Sequence, residues 1–129
     1  MNHWYHDAVS LEMARRVSDR LRASPELLRV AQENLERWSR LNASTPSLLH
    51  CYEEWRKILE RPLADICAAL CAETEEGARL RQNSPFAGVL SPVEVWEIKS
   101  RMRHHAATLV KFDEPRRQLA LARLDRLGP

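Results

Sequence analysis

The sequence predicts an all-α fold, a compact single-domain bundle of about six to seven helices. Three observations carry that reading. Between breaks, apolar residues recur at spacings of three and four, which lines one side of a helix. Serine or threonine followed by proline punctuates the chain at Ser24-Pro25, Thr45-Pro46, Ser84-Pro85 and Ser91-Pro92. Such a hydroxyl caps an open backbone N–H, and proline at the first helical position has no N–H to orphan. Finally, 129 residues with 44% hydrophobic content suit one core and are too few for two ordinary domains.

The first helix should run from Trp4 to Arg22, because Tyr5, Val9, Met13 and Val17 recur every four residues and Leu21 extends the stripe. The second begins near Pro25 and carries Leu27, Leu28, Ala31, Leu35 and Trp38 on one side. Arg29, Glu33, Glu36, Arg37 and Arg40 occupy the other. After the polar loop Asn42 to Thr45, a third helix presents Leu48, Tyr52, Trp55 and Leu59, with Leu49 and Ile58 alongside. Pro62 interrupts it, since proline removes a donor and clashes with the preceding turn. A fourth helix from Pro62 shows Leu63, Ile66, Cys67 and Leu70, and Thr74 caps a short fifth through Leu80. Arg79 to Pro92 breaks every periodicity. Ser91 and Glu94 then have the spacing of a capping box, opening a helix with Val95, Ile98, Met102, Ala106 and Leu109, and Trp96 on a flank. Asp113-Glu114-Pro115 opens a last helix with Leu119, Leu121, Leu124 and Leu127. The organisation expected is a core bundle at about 4–111, followed by a basic C-terminal helix at 112–129 that either frays at the chain end or docks on a partner.

Composition excludes several classes of function. With 20 basic and 18 acidic side chains, the chain lacks the strong basic excess of a dedicated nucleic-acid module. The distribution is uneven: Lys99 to Pro129 holds eight bases and three acids, besides His104 and His105. The charge-free stretch Leu41 to Tyr52 contains Pro46, and nothing approaches the roughly 20 apolar residues of a membrane span. No basic and apolar secretory leader opens the sequence, so a cytoplasmic location is expected. Three cysteines, an odd number, fit reduced thiols there. Cys67 and Cys71, four apart, read as core or near-core packing, and neither metal nor cofactor is expected.

Catalytic constellations are absent from the sequence. Gly77, Gly88 and Gly128 lie too far apart to cradle a phosphate, and there is no Gly-x-Ser-x-Gly or His-Glu-x-x-His. His3 with His6 and His104 with His105 read as exposed polar pairs. Arg101 and His105 approach the arginine–histidine motif of small helical ribonuclease toxins, but at a shorter spacing than that motif uses. The expectation is a protein that is not an enzyme.

Two segments invite a binding role. The aperiodic loop holds Phe86, Val89 and Leu90, which must be buried on their own domain or on something else. It either closes the core between two helices or docks a partner, with Phe86 as anchor and Arg79, Arg81, Gln82 and Asn83 as polar rim. The second segment is the cationic helix bearing Lys99, Arg101 and Arg103. Trp38, Trp55 and Trp96 accompany apolar stripes and read as core, each needing a partner for its N–H, whereas Trp4 reads as an interface residue. Leu63–Leu70, a turn at Cys71–Thr74 and Glu75–Asn83 also have helix-turn-helix length, although Glu73, Glu75 and Glu76 would open the recognition helix.

The string Leu80-Arg81-Gln82-Asn83-Ser84-Pro85-Phe86-Ala87-Gly88-Val89-Leu90-Ser91-Pro92, with Trp96 and Ile98 after it, resembles a signature of small all-helical bacterial proteins. Asn34-Leu35-Glu36-Arg37-Trp38 and Trp55-Arg56-Lys57-Ile58-Leu59 extend the resemblance over roughly Ser10 to Arg101. Val95 stands where that group would have an arginine ahead of the tryptophan. Members often sit beside toxin-like genes, some of nucleotidyltransferase type. The resemblance therefore implies an antitoxin-like module that binds a cognate enzyme. Such an enzyme's acidic, magnesium-holding site suits the cation-bearing helix. A helix-turn-helix regulator on DNA and a small ribonuclease are the alternatives, and a second copy of the chain is a further candidate partner.

Overall fold

In the computed structural model, which describes residues 3–109, the elements are α1 (His3–Ala23), a 3-10 turn (Pro25–Leu27), α2 (Leu28–Leu41), α3 (Pro46–Leu59), α4 (Leu63–Leu70), α5 (Glu75–Arg81) and α6 (Pro92–Leu109). Among the described residues there is no strand, so the fold is all-α, as the apolar spacing predicts. The helix expected from Asp113, and with it the 112–129 segment, lies outside the described residues.

Helix starts follow two different devices. Thr74 Oγ1 accepts from the Gly77 N–H at 3.0 Å, so a side chain caps α5. At α6 the capping box is complete: the Ser91 N–H donates to Glu94 Oε1 at 3.0 Å, and the Glu94 N–H donates to Ser91 Oγ at 3.1 Å. Ser24 and Thr45, expected to cap through their hydroxyls, make no such bond. There the proline alone sets the start, by its fixed φ and missing donor. Ser84-Pro85 opens no helix.

α1 is the spine, touching α4, α5, α6 and the 3-10 turn, while α2 packs on α3 and α3 on α4. The α1 stripe is wider than a four-residue period suggests, because Leu11, Ala14 and Ser18 are buried beside Val9, Val17 and Leu21. These join Ala31, Leu35, Tyr52, Trp55, Ile58, Ile66, Leu70 and Ile98 in the core. Trp55 is fully buried, and its indole N–H donates to the Leu80 carbonyl at 3.0 Å, which satisfies the one polar atom of that side chain. Trp38 is half-buried against Tyr52, ring centroids 5.9 Å apart. Helix α5 lies so close to the turn before it that a Cβ on Gly77 would stand 2.1 Å from the Ala72 carbonyl oxygen. Only glycine permits that approach. No helix among the described residues is long and apolar enough to cross a membrane.

Candidate functional site

The loop between α5 and α6 folds inward. Pro85, Phe86, Val89 and Leu90 are all buried, and Phe86, only 3% exposed, meets Trp55 edge-on with centroids 5.8 Å apart. The turn is closed by the Val89 N–H on the Phe86 carbonyl at 3.1 Å, with Gly88 at φ 97° in its third position. That is the glycine-favouring position of a type II turn. The expectation of Phe86 as a docking anchor is therefore corrected. Its ring belongs to the domain's own interior, and the loop closes the core.

What holds the loop down is Asn34, which the sequence reading passed over. Its Nδ2 donates to the carbonyls of Pro85 at 2.8 Å and Ala87 at 2.9 Å, while Arg37 Nη2 donates to its Oδ1 at 2.5 Å. A signal for it existed. Leu27, Ala31, Asn34 and Trp38 follow a heptad-like spacing, so a polar amide stands in the apolar stripe of α2. A buried amide in that place has to find partners. Arg20 of α1 ties the loop's other end, donating to Glu94 Oε2 at 2.5 Å and to the Val89 carbonyl at 3.4 Å.

The four rim residues separate. Arg79 is exposed and grips Glu54 of α3 in a two-pronged pair at 2.9 and 2.7 Å, and it also bonds Glu76. These bonds hold the Glu54 and Glu76 carboxyls below the usual range. Gln82 is exposed and Asn83 half-buried. Arg81 is the correction. It is only 6% exposed, and its Nη1 donates to the carbonyls of Leu70 at 3.1 Å and Ala72 at 2.7 Å. Those carbonyls lie at and just past the end of α4, where helix oxygens lack partners within the helix. Among the described residues its Nε and Nη2 have no hydrogen-bond partner. Burial pushes the pKa of this guanidinium down. Helices α4 and α5 thus exist as a helix-turn-helix reading requires. However, α5 turns Arg81 inward and leaves Glu75 and Glu76 exposed at its start.

The three cations of α6 fare differently. Lys99, Arg101 and Arg103 are all exposed. Arg101 leans toward Glu12 of α1 at 3.9 Å. Trp96, expected in the core, is 68% exposed, and Val93 is 64% exposed. The reason is angular: Trp96 is two residues from the fully buried Ile98, about 200° around the helix, so it stands on the opposite side. Val93, Trp96, Lys99 and Arg103 consequently share the outward side of α6. His104 and His105 are exposed on the same helix.

Cys67 is buried, while Cys51 and Cys71 are half-buried, and all three are free thiols. Burial pushes the Cys71 thiol up. Among the described residues no group of three or more His, Cys, Asp or Glu side chains is placed to hold a metal ion. A cavity of about 230 Å³ lies beneath the loop, lined by Met13, Val17, Leu70, Arg81, Phe86 and Leu90 among others. No family model matches the chain, nor does any curated protein or solved structure.

Proposed function

We propose that the chain is an antitoxin-like protein-binding module that neutralises or regulates a partner enzyme encoded nearby. It does so by contact and not by chemistry of its own, and it works in a bacterial cytoplasm. The contact is made by the outward side of α6 and not by the inward-folded loop. One observation supports this above others: Trp96 stands 68% exposed on a side shared with Val93, Lys99 and Arg103. Tryptophan and arginine are the residues most enriched among energetically dominant contacts, and a large indole in water gains most from being covered. Flanking cations steer that indole onto an acidic surface. The carboxylates around a nucleotidyltransferase's magnesium site make such a surface. In sequence, further bases follow at Lys111, Arg116 and Arg117, outside the described residues.

The test is co-expression with the product of the neighbouring gene, followed by titration calorimetry. Trp96→Ala should weaken the complex by about 2 kcal/mol, roughly 30-fold, and Arg103→Glu should slow association most at low salt. Equal affinity for wild type and Trp96→Ala would remove this reading. Sedimentation of the chain alone tells whether the same indole instead joins two copies, and a gel shift with its promoter DNA tests the regulator alternative.

A further inference from the structure

Apart from the outward side of α6, the molecule holds a feature that the docking role does not use, the cavity of about 230 Å³ beneath the loop. Protein interiors leave few spaces larger than a water molecule. One of this size forgoes dispersion contacts along its walls, and a ligand of matching shape supplies them. An apolar cavity of about 150 Å³ takes benzene, whereas drug-sized ligands occupy about 300 Å³ or more. The volume therefore fits a single ring with one short substituent.

The walls decide the chemistry. Ala14 and Val17 of α1, Leu70 of α4, and Phe86 and Leu90 of the loop line the cavity, and all five are buried and apolar. Met13 adds a half-buried thioether, and both its sulfur and the Phe86 ring pack well against a flat aromatic. Among the described residues Arg81 is the one charged side chain on the wall, and no carboxylate lines it. The charge of Arg81 is not on offer: Nη1 is spent on the Leu70 and Ala72 carbonyls, and Nε and Nη2 are enclosed by protein. An ionised ligand would give up its hydration here and find no partner, which is costly. Ser10, Ser84 and Gln82 contribute uncharged polar groups. Gln82, Ala87 and Gly88 are exposed, so the cavity reaches the surface along the loop.

We propose that this cavity is a binding site for a small neutral aromatic molecule of one ring, bearing at most one hydroxyl-sized polar group. The ring packs among the α1, α4 and loop side chains, and a hydroxyl finds an uncharged partner in a serine or in Gln82. Val95 of α6 lines the cavity as well, so the ligand ties the loop to α1 and α6 and stiffens the segment from Ser84 to Leu90. Trp96 takes no part, so the site stands independently of the docking role.

The experiment is titration calorimetry of the full chain with toluene and with benzyl alcohol, phenylacetate serving as the charged comparator. Saturable one-to-one binding with a dissociation constant below about 1 mM is expected for at least one of the neutral rings. Phenylacetate should bind at least about tenfold more weakly, because its carboxylate loses water and gains no partner. Ala14→Leu puts further carbons into the cavity and should weaken binding at least about tenfold. Because added bulk in a core can also unfold the chain, Ala87→Trp is the second variant. Position 87 is exposed at the cavity mouth, so an indole there blocks entry while circular dichroism reports an intact fold. Absence of saturable binding by both neutral rings, phenylacetate bound as tightly as they are, or wild-type affinity in a folded Ala14→Leu or in Ala87→Trp would each overturn the proposal.

Discussion

Replacing Asn34 by alanine is the sharpest test of how the loop is held. The change removes the donor shared by two main-chain carbonyls, Pro85 at 2.8 Å in a buried setting and Ala87 at 2.9 Å in a partly buried one. An orphaned buried acceptor costs about 1–3 kcal/mol, and a lost bond that water can replace about 1 kcal/mol. The sum is a loss of about 2–4 kcal/mol. With a urea slope of about 1.5 kcal/mol per molar for a chain of this size, the unfolding midpoint should fall by about 1.3–2.7 M. Arg37→Ala is the companion. It removes only the bond that orients the amide oxygen, from an exposed donor, and should cost less than about 1 kcal/mol. The measurement is urea unfolding followed by far-ultraviolet circular dichroism and tryptophan fluorescence together. If Asn34→Ala unfolds within about 0.5 kcal/mol of wild type, apolar burial alone holds the loop and the role given to Asn34 is wrong.

Gly77→Ala should destabilise by about 2–3 kcal/mol in the same urea assay, even though alanine is the better helix former by about 1 kcal/mol, because its Cβ would meet the Ala72 carbonyl at 2.1 Å. Trp96→Ala should change stability by no more than about 0.5 kcal/mol, whereas Trp55→Ala should cost about 3–5 kcal/mol. Similar losses at both positions would show that the α6 indole is not exposed. Glu94 is held below the usual carboxyl range, first by the Ser91 backbone N–H and then by Arg20. Its ionised form therefore stabilises the fold above the unfolded-state pKa, and that contribution is lost as pH falls through the lower folded value. The stability gap between wild type and Glu94→Gln should accordingly persist at neutral pH and close on acidification below about pH 4. A gap independent of pH would show that the carboxylate charge contributes nothing there.

The candidate site was only partly legible in the sequence, and the misses share a cause. Spacing identifies which residues of the loop are apolar, but not what covers them. Phe86 is covered by Trp55, 31 positions away, and the loop carbonyls are met by Asn34, 51 positions before Pro85. Arg81 reads as a surface cation in any one-dimensional pattern. It turns inward because α4 stops at Leu70 and leaves carbonyls that only a long, multiply donating side chain can reach. Trp96 sits on the edge of a stripe whose width depends on how many neighbours its helix has. α6 packs chiefly along α1, so the flank stays in water.

Local chemistry was enough to establish the helices, their order and most of their ends. Thr74, Ser91 with Glu94, and the prolines at 25, 46, 62 and 92 act within a turn or two of where they stand, and the 3.6-residue period selects the buried side from composition alone. The inward path of the loop, the burial of Arg81 against the end of α4 and the exposed side of α6 arise from contacts between elements distant in the chain. Those contacts form only after the helices have packed, which is why no reading of neighbouring residues contains them.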